Sequence, residues 1–298
     1  MRFAVPVILV LVACARGDTR DSVAAAADNR SFGVDDFQDT IKLSSIPKRI
    51  VSLNPTTTEV LFALGVGSRL VGRTQYDNWP DSARFVPNLG PGIRPNVEAV
   101  LAAKPDLVLL YASQDNRAAA ERFHRAGIAT AAFKVDRIEQ FDRLTRLLGR
   151  LIGDSARGAL VADTVKRTLD SVRIVTRALP RVTAVLPTWD QPLIVIGGGS
   201  FMSELVTIAG GRNVYDSVAS PSPTVSIEDI VRRDPQVILV GPESAERVRA
   251  AQKWRAVRAA REGRLYIVDT ALVLRPAVRL GEGAVSLARL LHPELARR

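Results

Sequence analysis

The sequence predicts an α/β fold of two Rossmann-like lobes with parallel sheets, joined by one long backbone α-helix. Three observations carry that prediction. Asp154 to Leu179 contains no proline until Pro180 and one glycine, Gly158, and Val161, Val165, Leu169, Val172, Val175 and Leu179 recur at three- and four-residue steps. That spacing marks one apolar helical face. At about 1.5 Å per residue the helix would span roughly 35–40 Å, the width of a small domain. Second, its flanks resemble each other. Val97 to Leu110 before it and Ile227 to Val240 after it each carry a glutamate, an apolar pair, a proline and an apolar run in the same places. Both read as a short helix, a proline break and a buried strand. Third, strand and helix patterns alternate in both halves, which favours parallel sheets with helices on both faces.

The elements follow in order. Residues 1–13 join a charged start to a short apolar run, too short to span a bilayer, and read as a secretory signal peptide. Residues 14–45 read as a tether beginning at Cys14, and Ala15 to Asn29 is small and polar. Residues 46–153 form the expected N-terminal lobe. There Arg49 to Leu53 is a strand, and Asn54-Pro55 fits a helix cap with proline at the first helical position. Thr56 to Leu64 follows as a helix ended by Gly65, and Leu70 to Gly72 is a second strand. Thr74 to Pro80 is a loop with two aromatics, placed where α/β folds set ligand contacts. Leu107 to Leu110 is a strand, Arg117 to Ala126 a helix, Ile128 to Phe133 a strand and Ile138 to Ile152 an amphipathic helix.

The linking helix occupies 154–179 and the C-terminal lobe 180–298. Val182 to Leu186 is a strand, Pro187 to Pro192 a loop and Leu193 to Ile196 an extended apolar run. Gly197-Gly198-Gly199 opens a helix from Phe201 to Ala209, and Gly210 to Asn213 ends it. Ser226 and Asp229 are spaced as a capping box. Val237 to Val240 is a strand, Ser244 to Ala260 helical, Leu265 to Val268 a strand and Val278 to Leu291 the last helix.

The chain has 298 residues, 47% of them hydrophobic, enough for two domains with cores. Its formal net charge is +10, but the basic residues are scattered along helices. No nucleic-acid module accompanies them, so a solvated basic surface is the reading and no nucleic-acid partner is expected. Cys14 is the single cysteine, which excludes an intramolecular disulfide. His124 and His292 lie far apart, so neither a metal cluster nor a Ser/His/Asp or Cys/His catalytic set can be assembled. Gly197 to Gly199 invites a phosphate-binding reading but lacks the third glycine of the dinucleotide fingerprint and a Walker lysine. The expectation is a protein with no catalytic residue, no metal and no cofactor. An exported α/β enzyme using the glycine-rich loop, or a surface scaffold, are the other classes.

Lys48 to Glu59, Gly65, Val71 to Pro80, Pro95 to Glu98, Lys104 to Leu107, Gly210 to Asn213, Ser226 to Glu228 and Arg233 to Pro235 together resemble the helical-backbone substrate-binding proteins of ABC importers. Within that group they resemble the periplasmic vitamin B12-binding proteins, over about Ile46 to Pro293. Leu11 to Cys14 resembles the bacterial lipoprotein signal, with cleavage before Cys14 and lipid on its thiol. The resemblance implies a periplasmic or cell-surface monomer, lipid-anchored to the membrane, that holds a small-molecule ligand between its lobes and delivers it to a permease dimer. Cobalamin is the implied ligand, with a ferric siderophore or haem as the alternative. Pro55, Tyr76 and Tyr111 match ligand-contact positions, and Trp189, Arg275 and Arg279 lie in corresponding regions of the second lobe. Glu98 and Glu228 match the acidic pair that docks on permease arginines. The chain departs from the pattern where B12 binders can carry tryptophans: Gly92 stands near one such place, and Ser222 and Pro223 at the other.

Overall fold

The computed structural model describes residues 30–297. The signal segment and Cys14 lie outside the described residues. The described residues open with a hairpin, β1 (Arg30–Val34) and β2 (Thr40–Leu43), paired antiparallel. Residues 30–45 are thus folded onto the first lobe rather than part of a tether. Two features attach the hairpin. Ile41 and Leu43 alternate inward and are buried, and the Asp35 carboxylate accepts N–H bonds from Phe37, Asp39 and, across the lobe, Ala132. The small and polar composition that suggested a tether ends where this alternation begins.

The first lobe holds β3 (Ile50–Leu53), β4 (Leu70–Gly72), β5 (Leu107–Tyr111) and β6 (Ala129–Phe133). They form a parallel sheet in the order β4-β3-β5-β6. Its helices are α1 (Pro55–Ala63), α2 (Val97–Ala102), α3 (Gln114–Arg125) and α4 (Ile138–Leu151). The linking helix is α5 (Ser155–Thr176), capped by the Asp154 side chain on the Arg157 N–H.

The second lobe begins with β7 (Val182–Val185), then β8 (Pro187–Asp190) and β9 (Leu193–Val195). α6 (Phe201–Ile208), β10 (Gly211–Asn213), α7 (Ile227–Arg233) and β11 (Val237–Val240) follow. α8 (Pro242–Ala250), α9 (Arg258–Arg261), β12 (Leu265–Ile267), α10 (Thr270–Val273) and α11 (Leu280–Leu291) complete it. The parallel order β10-β7-β11-β12 repeats that of the first sheet, strand for strand.

Three local expectations change. Pro187 to Pro192 is not a free loop, because β8 pairs with β9 as a hairpin inserted between β7 and α6. Gly211 to Asn213 does more than end α6, since it pairs with β7 as the edge strand. The helix expected over Ser244 to Ala260 is broken into α8, a 3₁₀ turn at Gln252–Ala256 and α9. That turn buries Trp254 in the core on the outer face of the second sheet, which a continuous helix would not allow.

Alternation along the central strands sorts side chains between two cores. On β5, Leu107 and Leu109 enter a core shared by both lobes, while Val108 and Leu110 face a separate outer cluster. On β11, Val237 and Leu239 enter the same shared core, and Ile238 and Val240 face the other outer cluster. α4, α5, α6 and α11 contribute to the shared core, so one continuous apolar body underlies both lobes. The buried face of α5 is Gly158, Ala162, Val165, Leu169, Val172 and Thr176. Val175, expected inside, is 55% exposed. The face is rotated because α4 and α5 cross backbone to backbone. A Cβ on Gly158 would lie 2.9 Å from the Gly149 Cα, and one on Gly149 would lie 2.7 Å from the Gly158 Cα.

Candidate functional site

Contacts between the lobes show that the carboxyl edges of the two sheets face each other. Arg275 and Arg279, after β12, reach α1 and the Thr74 to Pro80 loop. Arg137, after β6, donates to the Gly198 carbonyl at 2.8 Å, just before α6. The interlobe cleft therefore lies at the strand ends, the place where α/β sheets bind ligands. A groove of about 430 Å³ also runs along Phe141, Arg146, Val165 and Leu169. Its lining comes only from α4 and α5, so we assign the site to the cleft and not to that groove.

One wall of the cleft is built on the turn from β3 to α1. The Asn54 carboxamide accepts the Thr56 N–H at 3.1 Å and donates to the Phe133 carbonyl at 3.3 Å, with half-buried Pro55 at the first helical position. Thr56, Thr57 and Thr58 are buried behind it. Thr58 Oγ1 donates to buried Asp77 at 2.9 Å, and the Thr74 N–H and hydroxyl donate to the same carboxylate. Burial raises the Asp77 pKa, and these hydrogen bonds oppose the shift. This network pins the Thr74 to Pro80 loop to α1 and leaves the Tyr76 ring outside, 55% exposed.

The second lobe meets that wall through a buried charge cluster. Glu59 is 1% exposed. Its Oε1 lies 3.2 Å from Arg275 Nη1, and its Oε2 lies 3.6 Å from Arg279 Nε. Burial pushes the Glu59 carboxyl above its usual range, while Arg279 and Arg275 pull it back. Arg275 also donates to the Tyr76 carbonyl at 3.1 Å. The Arg279 guanidinium lies over the Trp79 ring, 4.6 Å from its centroid, a cation–π contact.

The structure thus brings Tyr76, Arg275 and Arg279 together, with Pro55 at the start of the same wall. Tyr111 ends β5, beside β3, half-buried, and burial and then Asp136 raise its phenol pKa. Trp189 lies on the β8–β9 hairpin, 59% exposed, its indole N–H bonded to the Gln191 carbonyl. Among the described residues no hydrogen bond or ion pair joins Tyr111 or Trp189 to the Glu59 cluster. Sequence reasoning missed Glu59 and Asp77, and took Trp79 only as one of the two aromatics of its loop. The signal for Glu59 was a single charge in a helix completed by Val60, Leu61, Phe62 and Ala63.

Glu98 and Glu228 occupy the second positions of α2 and α7, both exposed. Asn96 and Ser226 cap these helices alike, accepting the N–H of Ala99 and Asp229. Each carboxyl pKa is lowered, first by its own backbone N–H; Arg122, 2.6 Å away, adds to the effect at Glu98. A helix leading into a parallel strand runs against it, so both first turns lie at the carboxyl edges, flanking the cleft.

The glycine-rich run is structural. A Cβ on Gly198 would lie 1.8 Å from the Asp216 carbonyl oxygen, and on Gly197 2.0 Å from that of Ser220. The Gly197 and Gly198 N–H groups bond to Pro221, Tyr215 and Val218 carbonyls, so they are not free to cradle phosphate. Among the described residues no group of three or more His, Cys, Asp or Glu could hold a metal ion, and no helix is long and apolar enough to cross a membrane.

Comparison with known proteins agrees with this fold. The family described as periplasmic binding protein matches residues 50–272. A vitamin B12-binding protein of Vibrio vulnificus (strain CMCP6) is 23% identical over 242 residues, 80% of this chain and 89% of that protein. An uncharacterized ABC transporter substrate-binding lipoprotein of Bacillus subtilis (strain 168) is 27% identical over 267 residues, 85% of this chain and 83% of that protein. Among solved structures, the apo form of a periplasmic heme-binding protein from Roseiflexus sp. RS-1 superimposes with a TM-score of 0.76 at 23% identity. The match covers 83% of this chain and 98% of that one.

Proposed function

This chain belongs to the periplasmic binding protein family, and from that premise we propose that it captures cobalamin or a related corrinoid between its lobes and delivers it to an ABC permease dimer. It is an extracytoplasmic solute-binding protein, as its relatives are. The observation that carries the corrinoid reading is the character of the cleft wall. Tyr76 presents an exposed ring at the rim, while the two arginines behind it are already paired with Glu59. An exposed aromatic at a cleft mouth suits a large, flat ligand that buries ring area. A polyanionic siderophore calls for free guanidinium groups, and pairing with Glu59 offsets one of the two positive charges here. Trp189, exposed on the second lobe, would supply a further aromatic surface.

Haem is the second reading. The observation favouring it is the same exposed Tyr76, whose phenol would offer an axial oxygen. The raised pKa of Tyr111 makes that phenol the poorer candidate.

Titration with cyanocobalamin and with haemin, followed by tryptophan fluorescence and absorption spectra, tests the assignment. Saturable cobalamin binding is expected, weakened by about 1–3 kcal/mol in Tyr76→Ala and in Tyr111→Ala if each ring is buried by the ligand. A tyrosinate-haem spectrum with no cobalamin binding would reverse the order of the two readings. We also propose that lipid on Cys14 anchors the chain, since two or more acyl chains suffice for stable attachment. Loss of Cys14→Ser from the membrane fraction is the expected result.

A further inference from the structure

The helix after the first strand of each lobe carries the same short pattern. Thr58-Glu59-Val60-Leu61 leads to Gly65, and Ser203-Glu204-Leu205-Val206 leads to Gly210. Both glutamates stand about two helical turns before the closing glycine, at the same offset (65 − 59 and 210 − 204). The repeated strand order makes α1 and α6 equivalent elements. Each glutamate crosses to the opposite lobe. Glu59 meets Arg279, the residue capping α11, together with Arg275. Glu204 meets Arg137, the residue capping α4. α4 and α11 are themselves equivalent: α4 follows the last strand of the first sheet, and α11 follows that of the second after the short α10. The pseudo-symmetry that relates the lobes therefore exchanges one clamp for the other.

The two clamps are not equally complete. At Glu204 both carboxylate oxygens are engaged, one by Arg137 and the other by the Ile138 N–H at 2.8 Å. A carboxylate at a helix N-terminus is further favoured by the helix dipole. Arg137 also holds the Gly198 carbonyl. At Glu59, Oε2 and Arg279 Nε are both buried, and neither has a hydrogen-bond partner. They face each other at 3.6 Å, beyond hydrogen-bonding range. A small approach of the lobes would complete that bond and relieve the cost of two unsatisfied buried groups. The incomplete clamp is also the one tied to the Tyr76 carbonyl and the Trp79 ring.

We infer that Glu59 and Glu204 are reciprocal positioning residues that set the angle between the lobes. The Arg137–Glu204 clamp is the pivot, and the Glu59–Arg275–Arg279 clamp is the seam that tightens as the lobes close. The link to ligand exchange rests on the function proposed above; the pivot and the seam do not.

Electron–electron distance measurement between nitroxides tests this in the full chain carrying Cys14→Ser. The labels go on Glu121→Cys of α3 and Glu246→Cys of α8, which are exposed positions on opposite lobes. Without ligand, Glu59→Gln should move the most populated distance to larger values than the parent shows. Arg275→Gln should move it in the same direction; its side chain is 24% exposed, so this variant serves if Glu59→Gln does not fold. Cyanocobalamin should shorten the distance in the parent and dissociate on the order of tenfold faster from the variants, since such effects fall mainly on the dissociation rate. Glu204→Gln should spread the distribution instead of displacing it. Unchanged distances in folded Glu59→Gln and Arg275→Gln, with only a lowered melting temperature, would reduce the clamp to static packing and overturn the inference. Equal displacement by Glu204→Gln would overturn the division into pivot and seam. Displaced distances in the variants, with no response of the parent to cobalamin, would uphold the clamps and reject the ligand.

Discussion

Asp229, in the first turn of α7, shows how a single residue fastens elements within the second lobe. Its carboxylate accepts a 2.9 Å bond from Arg233 Nε and also contacts Arg232. Arg233 in turn lies 4.3 Å from the centroid of the buried Tyr215 ring. Arg233 and then further hydrogen bonds hold the Asp229 pKa down to about 2, from an ordinary 3.8. A depressed carboxyl pKa contributes stability that is present above the unfolded value and lost as pH falls through the folded one. The window here runs from pH 3.8 down to about 2. Solvent screening of these partly exposed partners leaves the shift worth roughly 1 kcal/mol at neutral pH. Asp229→Asn should cost about that much at pH 7 and flatten the acid side of the stability curve. Chemical denaturation at several pH values reads both effects, and an unchanged acid slope would remove Asp229 from the account.

At the scale of elements, the crossing of α4 and α5 sets the geometry of the connection. Small residues at Gly149 and Gly158 let the helices meet main chain to main chain, and Ala162, Val165 and Leu169 continue the same face. At the far end, Thr176 Oγ1 donates to the Ile208 carbonyl at 2.7 Å and fastens α5 to α6. A valine at Gly158 has no room and must part the helices. Gly158→Val is therefore expected to lower stability by about 1–3 kcal/mol, as overpacked cores do. Urea unfolding checks this, with Ala156→Val, at an exposed position of the same helix, as the control expected to stay near the parent.

For the whole molecule, the shared core beneath both lobes and the two Glu–Arg clamps argue for small closure and not wide opening. With closure that small, Glu98 and Glu228 keep a nearly constant separation, one on each side of the cleft. A permease dimer would offer two equivalent basic surfaces to such a pair. Charges at an interface chiefly set orientation and association rate, and truncating a buried pair costs about 2–5 kcal/mol. Reversing both, Glu98→Arg with Glu228→Arg, should leave ligand affinity intact while uptake collapses. If the two carboxylates serve only their helix dipoles, the loss is roughly 0.3–1 kcal/mol of stability each and transport stays near normal. Affinity, melting temperature and uptake measured on the same double variant separate the two outcomes.

Much of this protein follows from local pattern. The apolar runs at Ile50 to Leu53, Leu107 to Tyr111 and Val237 to Val240 are strands because both faces of a parallel sheet are buried. Asp154, Asn54, Asn96 and Ser226 cap helices through their own short side chains, a bond made within a few residues of sequence. Glu98 and Glu228 were legible for the same reason, since their places depend only on those caps. What lay beyond local reading involves partners far apart in the chain. The rotated face of α5 comes from the backbone contact with α4, which no periodicity of α5 alone contains. Trp254 breaks its helix because a distant sheet offers it a buried place. Arg275 and Arg279 lie in regions that the resemblance gives to ligand contacts, and the fold sets Glu59 beside them, at a separation of 216 residues for Arg275. A side chain's charge can be read from the sequence. Whether that charge is free for a ligand or already neutralised depends on which groups the fold buries beside it.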